Sequence, residues 1–395
     1  MDSREAKDQA IAQAVVDRFE PEQVPFLAAL VEQPSCSREP DDVEAAARLL
    51  DARAEGLGLS VDRRRVPGGT HAAHRLYGSP GLAADAPTLT LVGHIDTVFA
   101  RSAGFFGFRR EGDTAFGPGV LDMKSGLSSM FLALEALRVA DPSFAPRLRI
   151  LINTDEEVGS PTSDGLIAEV AQVTREALVF EAGRAEDRLV VARKGVGSYR
   201  LTATGRSAHA GLHHAEGVNA IEALAHAIVR VEAVSEVARG MTANVGLVEG
   251  GTSSNTVPDE AHCTIDCRFE SPEDGEELSR KLEGAVAMPL PPHLSSASLA
   301  LRGRLHRPPM RATPESRELA ARYGACARAA GLGAGEAPLQ GGGSDANLFS
   351  AAGVPSIDGL GPAGAGIHRT SERCNLTSLQ RRTVALACFL SRAAV

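Results

Sequence analysis

Short apolar runs that read as buried strands recur along this chain, and each leads into a histidine or a carboxylate. Residues 88–92 lead through Gly93 to His94 and Asp96, residues 147–153 to Asp155, Glu156 and Glu157, and residues 177–180 to Glu181. Helical patterns separate them. The clearest follows Asp122, where Leu127, Met130, Phe131, Leu134 and Leu137 recur at helical spacing. Strands alternating with helices predict an α/β fold built on a central, mostly parallel sheet. Open sheets of that kind bind ligands beyond the carboxyl ends of their strands, where these side chains fall.

The pattern changes after Lys194. Residues 196–204 read as a strand, 218–236 as a helix, 241–248 and 260–269 as two strands, 274–286 as a helix and 295–305 as a strand. That βαββαβ order is the ferredoxin-like split unit. Helix and strand patterns resume after Pro308. The expected organisation is a discontinuous domain, 1–195 and 308–395, with a smaller domain, 196–307, inserted into it. Near the start, 7–34 read as helix broken around Pro21 and Pro25, and 37–41 as the start of the next helix.

Acids outnumber Lys plus Arg by 50 to 41 in 395 residues, which argues against a nucleic-acid partner. There is no run of about 18 apolar residues, so no membrane span is expected. The N-terminus lacks the basic-then-apolar order of a signal peptide. Six dispersed cysteines fit free thiols in a reducing, cytoplasmic setting.

Histidine nitrogens and carboxylate oxygens suit borderline and hard cations, and two metals sharing one carboxylate need about the inventory His94, Asp122, Glu157, Glu181 and His368. If the backbone stays extended past the strand, Asp96 points the same way as His94 and can hold its imidazole; a loop-end hydrogen bond is the plainer alternative. Asp122 suits a helix N-cap as well as a ligand. Three consecutive acids at 155–157 repel one another unless cations or helix dipoles compensate. Glu181 and the loop residue His368 say little singly; acids or histidines at successive strand ends are the specific signal.

The chain resembles the zinc-dependent exopeptidase and amidohydrolase family of glutamate carboxypeptidase, aminoacylase and succinyl-diaminopimelate desuccinylase. The resemblance rests on Gly93-His94-Ile95-Asp96-Thr97, Gly117-Pro118-Gly119 through Asp122-Met123-Lys124-Ser125-Gly126, Thr154-Asp155-Glu156-Glu157-Val158-Gly159-Ser160, Phe180-Glu181, Ser207-Ala208-His209-Ala210-Gly211, Gly342-Gly343-Ser344-Asp345-Ala346 and His368. It covers nearly the whole chain and is strongest to the glutamate carboxypeptidase branch. It implies two zinc ions per subunit bridged by Asp122, one completed by His94 and Glu181, the other by Glu157 and His368. Cobalt or manganese suits the same ligands. It further implies Glu156 as general base, Asp96 as the residue orienting His94, and His209 as oxyanion stabiliser from a lid that also forms a homodimer. Asn255, Arg268, Arg307, Gly342 and Gly343 match substrate-binding positions, with Arg302 and Arg304 close enough to exchange with Arg307 on a small register error. The activity implied is cleavage of an amide next to a carboxylate-bearing amino acid, in a dipeptide or an N-acyl amino acid. Release of C-terminal glutamate leads; N-acyl amino acid deacylation is the enzymatic rival, and a non-catalytic metal-binding relative is the rival of another class.

Other features carry less. Residues 261–270 alternate, so Cys263 and Cys267 share the apolar face with Ile265 and Phe269 and read as core. Arg268 lies on the polar face, where a plain surface charge is the alternative. His209 and His213 are four apart without the glutamate of a metalloprotease helix. His71 and His74, near Gly68 and Gly69, read as loop. Gly195-Val196-Gly197 and the 341–343 run lack the lysine of a nucleotide loop.

Overall fold

The run at 88–92 lies inside a six-stranded sheet in a computed structural model of the chain, which describes residues 3–145 and 147–393. The sheet order is Ser60–Arg64, His74–Gly78, Leu148–Asn153, Thr88–His94, Thr174–Val179, Ser356–Ile357. The last four run parallel, and His74–Gly78 pairs antiparallel with both of its neighbours. Every residue of Thr88–His94 and Leu148–Asn153 is buried, as expected of parallel strands covered on both faces. The central strand runs two residues beyond 88–92, because Gly93 and His94 still pair with Ile152 and Asn153.

Helix Lys124–Ala140 packs on this sheet. Leu127, Met130, Phe131, Leu134 and Leu137 share one core with Leu91, Ile150, Leu386 and Phe389, each such side chain contributing about 1.5–3 kcal/mol of burial. Gly126 lets the start of the helix approach a strand end. A Cβ there would lie 2.4 Å from the Phe180 carbonyl oxygen. Gly126→Ala should therefore cost about 1–3 kcal/mol by overpacking; an unchanged thermal midpoint would show that the strand end yields freely.

A second, smaller sheet carries two of the candidate ligands. Its order is Gly364–Ala365, Arg373–Asn375, Thr114–Phe116, Arg109–Glu111. Residues 117–122 leave one of its strands, and His368 lies in the loop joining two others.

One expectation near the N-terminal half needs correction. His74 is not in a loop: it opens strand His74–Gly78, is 2% exposed, and its ring meets the hydroxyls of Thr154 and Thr162 at 3.1 Å each. The Gly68-Gly69 turn signal ends before it. Helix Pro40–Gly56 starts without a side-chain cap, and Ser37 bonds to Asp96 instead. The expected break near Pro21 is present as a π-helical turn, Phe19–Gln23, between Ser3–Arg18 and Val24–Glu32.

The backbone divides into two units. The larger comprises Met1–Ala192, Arg311–Leu339 and Ser344–Val395; the smaller comprises Arg193–Met310 and Gln340–Gly343. The smaller unit is an antiparallel sheet ordered Thr242–Gly250, Glu260–Phe269, Gly195–Thr204, Ser298–Arg307. Helices Ala220–Glu232 and Pro272–Ala287 bury Leu224, Val231, Leu278 and Leu282 against Cys263, Ile265, Cys267 and Phe269. Asn219 and Ser271 cap these helices, accepting from the amides of Glu222 and Asp274 at 3.1 Å. Those caps place the helix starts at 220 and 272 rather than 218 and 274. A turn at Pro292–Leu294 moves the last strand three residues later than expected, to begin at Ser298. All six cysteines are buried and unpaired. Among the described residues no helix is long and apolar enough to cross a membrane.

Candidate metal centre

Register alone brings two ligands level. His94 ends its strand opposite Asn153, and Val92 lies opposite Val179 on the other side. Glu181, two residues past Val179, therefore emerges beside His94. The acidic turn Glu156–Val158 follows the third parallel strand end. Asp122 and His368 come from the second sheet.

The five side chains converge. His94 Nε2 lies 3.3 Å from Asp122 Oδ1 and 3.7 Å from Glu181 Oε1. His368 Nε2 lies 3.5 Å from Asp122 Oδ2 and 3.0 Å from Glu157 Oε2. One carboxylate thus turns one oxygen to each imidazole. Asp122 Oδ1 is buried and, although near His94, lacks a partner with hydrogen-bond geometry. Donor atoms of His94, Asp122 and Glu181 lie within 4.8 Å of one another, as do those of Asp122, Glu157 and His368. Ligands held about 2.0–2.2 Å from a tetrahedral ion stand roughly 3.4 Å apart, so the residues present fit two cations sharing Asp122.

The electrostatics point the same way. Burial pushes the Glu157 and Glu181 carboxyls up, and the Asp122 charge adds to it. Burial opposes a charged His94, but Asp122 and Asp96 outweigh it and hold its imidazole well above the usual range. Asp122 and Glu157 raise His368 to about 10. Burial also opposes the Asp122 charge, and the two imidazoles overcome it and hold that carboxyl low. Without a cation, then, the cluster retains protons that ligation must expel. Divalent metal added to metal-free protein at pH 7 should release protons, seen as a binding enthalpy that varies with the ionisation enthalpy of the buffer. The release should shrink as pH rises through about 10, where His368 is already neutral. A buffer-independent enthalpy at pH 7 would contradict the assignment.

Asp96 differs from expectation. The strand ends at His94, and the nearer acceptor for His94 Nδ1 is the Asp96 backbone carbonyl at 3.0 Å, with its carboxylate at 3.5 Å. That carbonyl holds the proton on Nδ1 and leaves Nε2 to face Asp122. The carboxylate itself accepts from the amides of Glu156 and Glu157 at 3.2 Å each and from Ser37 Oγ at 2.6 Å. Asp96 therefore contacts the acidic turn as well as His94. Glu156 is half-buried, and its charge acts on both His94 and Glu181.

Some supporting residues escaped the sequence reading. Asp155 turns inward, away from its two acidic neighbours, and takes the hydroxyls of Thr162 and Ser163 at 2.6 Å each. Asp345 holds Asn153 Nδ2 at 2.6 Å and Ser160 Oγ at 2.8 Å, so the Ser344-Asp345 motif braces the same turn. Glu372 accepts three backbone amides, from Gly119, Leu121 and Asp122. Its only signal in the sequence is its place four residues after His368.

The remaining candidates lie in the smaller unit. His209 is exposed, and its Nδ1 accepts the amides of Gly211 and Leu212 at 3.2 Å. Two fixed donors on Nδ1 put the neutral ring's proton on Nε2, making it an outward hydrogen-bond donor. Asn255 is a neighbour: its carbonyl accepts from Ala210, and His209 pairs with Thr256. Arg268 and Arg307 both lie opposite Val196, on the two strands flanking it. Arg268 is half-buried, pairing with Asp266 at 2.8 Å through two nitrogens and reaching the Gly341 carbonyl at 3.2 Å. Arg307 is 3% exposed, whereas Arg302 and Arg304 are exposed. A Cβ on Gly343 would lie 2.8 Å from Arg307, and the Gly342 carbonyl accepts from Arg193, so Arg268, Arg307 and the glycine run form one cluster. His213 pairs with Glu216 at 3.0 Å.

Residues 191–293 match the family model of the peptidase dimerisation domain. Carboxypeptidase G2 of Pseudomonas sp. (strain RS-16) is 29% identical over 382 residues, 95% of this chain and 90% of that protein. Succinyl-diaminopimelate desuccinylase of Bordetella parapertussis is 28% identical over 371 residues, 89% of this chain and 92% of that one. The solved structure of an M20 family metallo-carboxypeptidase from Sulfolobus solfataricus has the same fold, with a TM-score of 0.77 at 16% identity, covering 94% of this chain and 99% of that one.

Proposed function

We propose, from the match of residues 191–293 to the peptidase dimerisation domain and the likeness over 95% of the chain to carboxypeptidase G2, that this chain is an M20-type peptidase or amidohydrolase, a two-metal enzyme cleaving an amide next to a carboxylate-bearing amino acid. The observation that carries the reading is the single Asp122 carboxylate facing His94 with one oxygen and His368 with the other. His94 and Glu181 would complete one zinc site, Glu157 and His368 the other, with cobalt or manganese able to replace zinc. Ions held there would supply Lewis acidity, lowering the pKa of water from about 15.7 to about 7 and polarising the scissile carbonyl.

The chain's own groups do the rest. Glu156, on the turn that Asp96 contacts, takes the proton of the attacking water and returns it to the departing nitrogen. His209 offers its Nε2 proton to the developing oxyanion. Arg268, Arg307, Asn255, Gly342 and Gly343 are the proposed substrate contacts, a guanidinium matching a carboxylate through paired hydrogen bonds.

Release of a C-terminal glutamate-type residue is the leading activity, in line with the likeness to carboxypeptidase G2. The desuccinylase likeness favours N-acyl amino acid deacylation as the second reading. A reconstituted protein assayed on dipeptides with varied C-terminal residues and on N-acetyl and N-succinyl amino acids decides: acidic C-termini preferred supports the first, N-acyl groups preferred the second. No turnover of any member would favour a metal-binding relative without catalysis, a reading that the carboxylate of Glu156 beside the ligands opposes.

We also propose a homodimer through the smaller unit. Strand Thr242–Gly250 is an edge strand with Leu247 65% and Val248 56% exposed, and Val229 on the adjacent helix is 71% exposed. Unprotected apolar edges of that kind pair with another chain. Light scattering should give twice the monomer mass; a monomer at micromolar concentration would refute it. The buried free thiols support a reducing, cytoplasmic compartment.

A further inference from the structure

Two of the five ligands, Asp122 and His368, stand on loops of the second sheet, whereas His94 and Glu181 follow directly on strands of the central one. Loops need something to hold them. Three amides of the loop 117–122 converge on one carboxylate: Glu372 Oε1 takes Leu121 N at 2.8 Å and Asp122 N at 2.9 Å, and Oε2 takes Gly119 N at 3.0 Å. Successive backbone amides that converge in this way form an anion nest, here filled by the chain's own carboxylate. Glu372 is 0% exposed.

The same residue ends the loop that carries His368. That loop is tightly folded: His368 adopts φ +61, Arg369 N bonds to the Gly366 carbonyl at 2.8 Å, and Glu372 N to the Arg369 carbonyl at 3.0 Å. A left-handed backbone at a non-glycine residue persists only where its surroundings over-determine it. Gly117 N also reaches the Glu372 carbonyl at 3.4 Å. Glu372 therefore ties the backbone of one ligand to the loop of another.

We infer that Glu372 is the positioning residue that sets His368 against the shared Asp122 carboxylate, and so builds the cation site made with Glu157. The inference rests on the two-metal reading above. Loss of the tie should weaken that site far more than the one formed with His94, which ends a paired strand, and Glu181, which closely follows one and whose carbonyl accepts from Gly361. Outer-shell partners of this kind are worth about 10–100-fold in metal affinity.

The test is calorimetric titration of Co2+ into metal-free full-length protein, with cobalt absorption recorded in parallel and no assay of activity required. Wild type should take two equivalents. Glu372→Ala should keep the first within a few fold and weaken the second about 10–100-fold. Glu372→Gln keeps the shape but offers one acceptor oxygen and places an amide donor against a backbone N–H, so its second equivalent should weaken about tenfold. Thermal unfolding and circular dichroism identify a variant that has failed to fold; if Glu372→Ala does, Glu372→Gln decides alone. Wild-type protein that takes up fewer than two equivalents overturns the two-metal reading. Wild type and a folded variant that both bind two equivalents with equal affinity overturn the role of Glu372 while leaving that reading intact.

Discussion

Glu156→Gln should lower kcat by about 10²–10⁴-fold while leaving metal uptake, KM and thermal stability close to wild type. General-base catalysis contributes on that scale, and each tenfold corresponds to about 1.36 kcal/mol of barrier. The substitution is nearly isosteric and removes the ability to accept a proton together with the charge that acts on His94 and Glu181. The turn itself should survive, because the link from residue 156 to Asp96 is made by the backbone amide, not by the side chain. Single-turnover kinetics together with metal analysis check this. Unchanged turnover would remove the base from the mechanism, and parallel loss of metal would make Glu156 a ligand instead.

Asp122→Asn should have the larger structural effect, with loss of at least one metal equivalent and a fall in kcat/KM of at least about 10³-fold. An amide has one acceptor oxygen, so it cannot turn an oxygen to both His94 and His368 as the carboxylate does. Two-metal catalysis depends on both ions clamping the reacting group. The metal-free variant should also show a pH signature. His94 and His368 hold raised pKa values partly through Asp122, so in wild type their contribution to stability is fully present below about pH 6.5 and is lost as pH rises through about 10 for His368. Removing the Asp122 charge deletes its share of that contribution. The gap in thermal midpoint between metal-free wild type and Asp122→Asn should therefore be widest near pH 5–6 and narrow toward pH 10. A gap that stays constant with pH would mean that the carboxylate stabilises the fold by some route other than pairing with the imidazoles.

How the site is assembled explains why some of it was readable in advance and some was not. His94, Glu157 and Glu181 follow short apolar runs, and hydrophobicity reports such runs without knowledge of the fold. The ferredoxin-like unit was equally legible: the alternation of 260–269 and the periodicity around Leu224 and Leu282 persist through the whole element. What went unseen depends on contacts far apart in the chain. Ser37 meets Asp96 across 59 residues, Asp345 meets Ser160 across 185, and Glu372 meets Asp122 across 250. His74 was misread because its environment is set by Thr154 and Thr162, about eighty residues away.

Local pattern by itself determined the alternation of strand and helix, the ferredoxin-like order between 196 and 305, and the donor types crowding the strand ends. Tertiary structure alone decided which oxygen of Asp122 faces which imidazole, that Asp155 turns to the hydroxyls of Thr162 and Ser163 while Glu157 faces His368, and that Glu372 fills a nest of amides rather than meeting solvent. The division has a physical cause. Periodicity and propensity are properties of neighbouring residues, whereas the partners of a buried carboxylate are chosen by whichever donors the completed packing leaves without water.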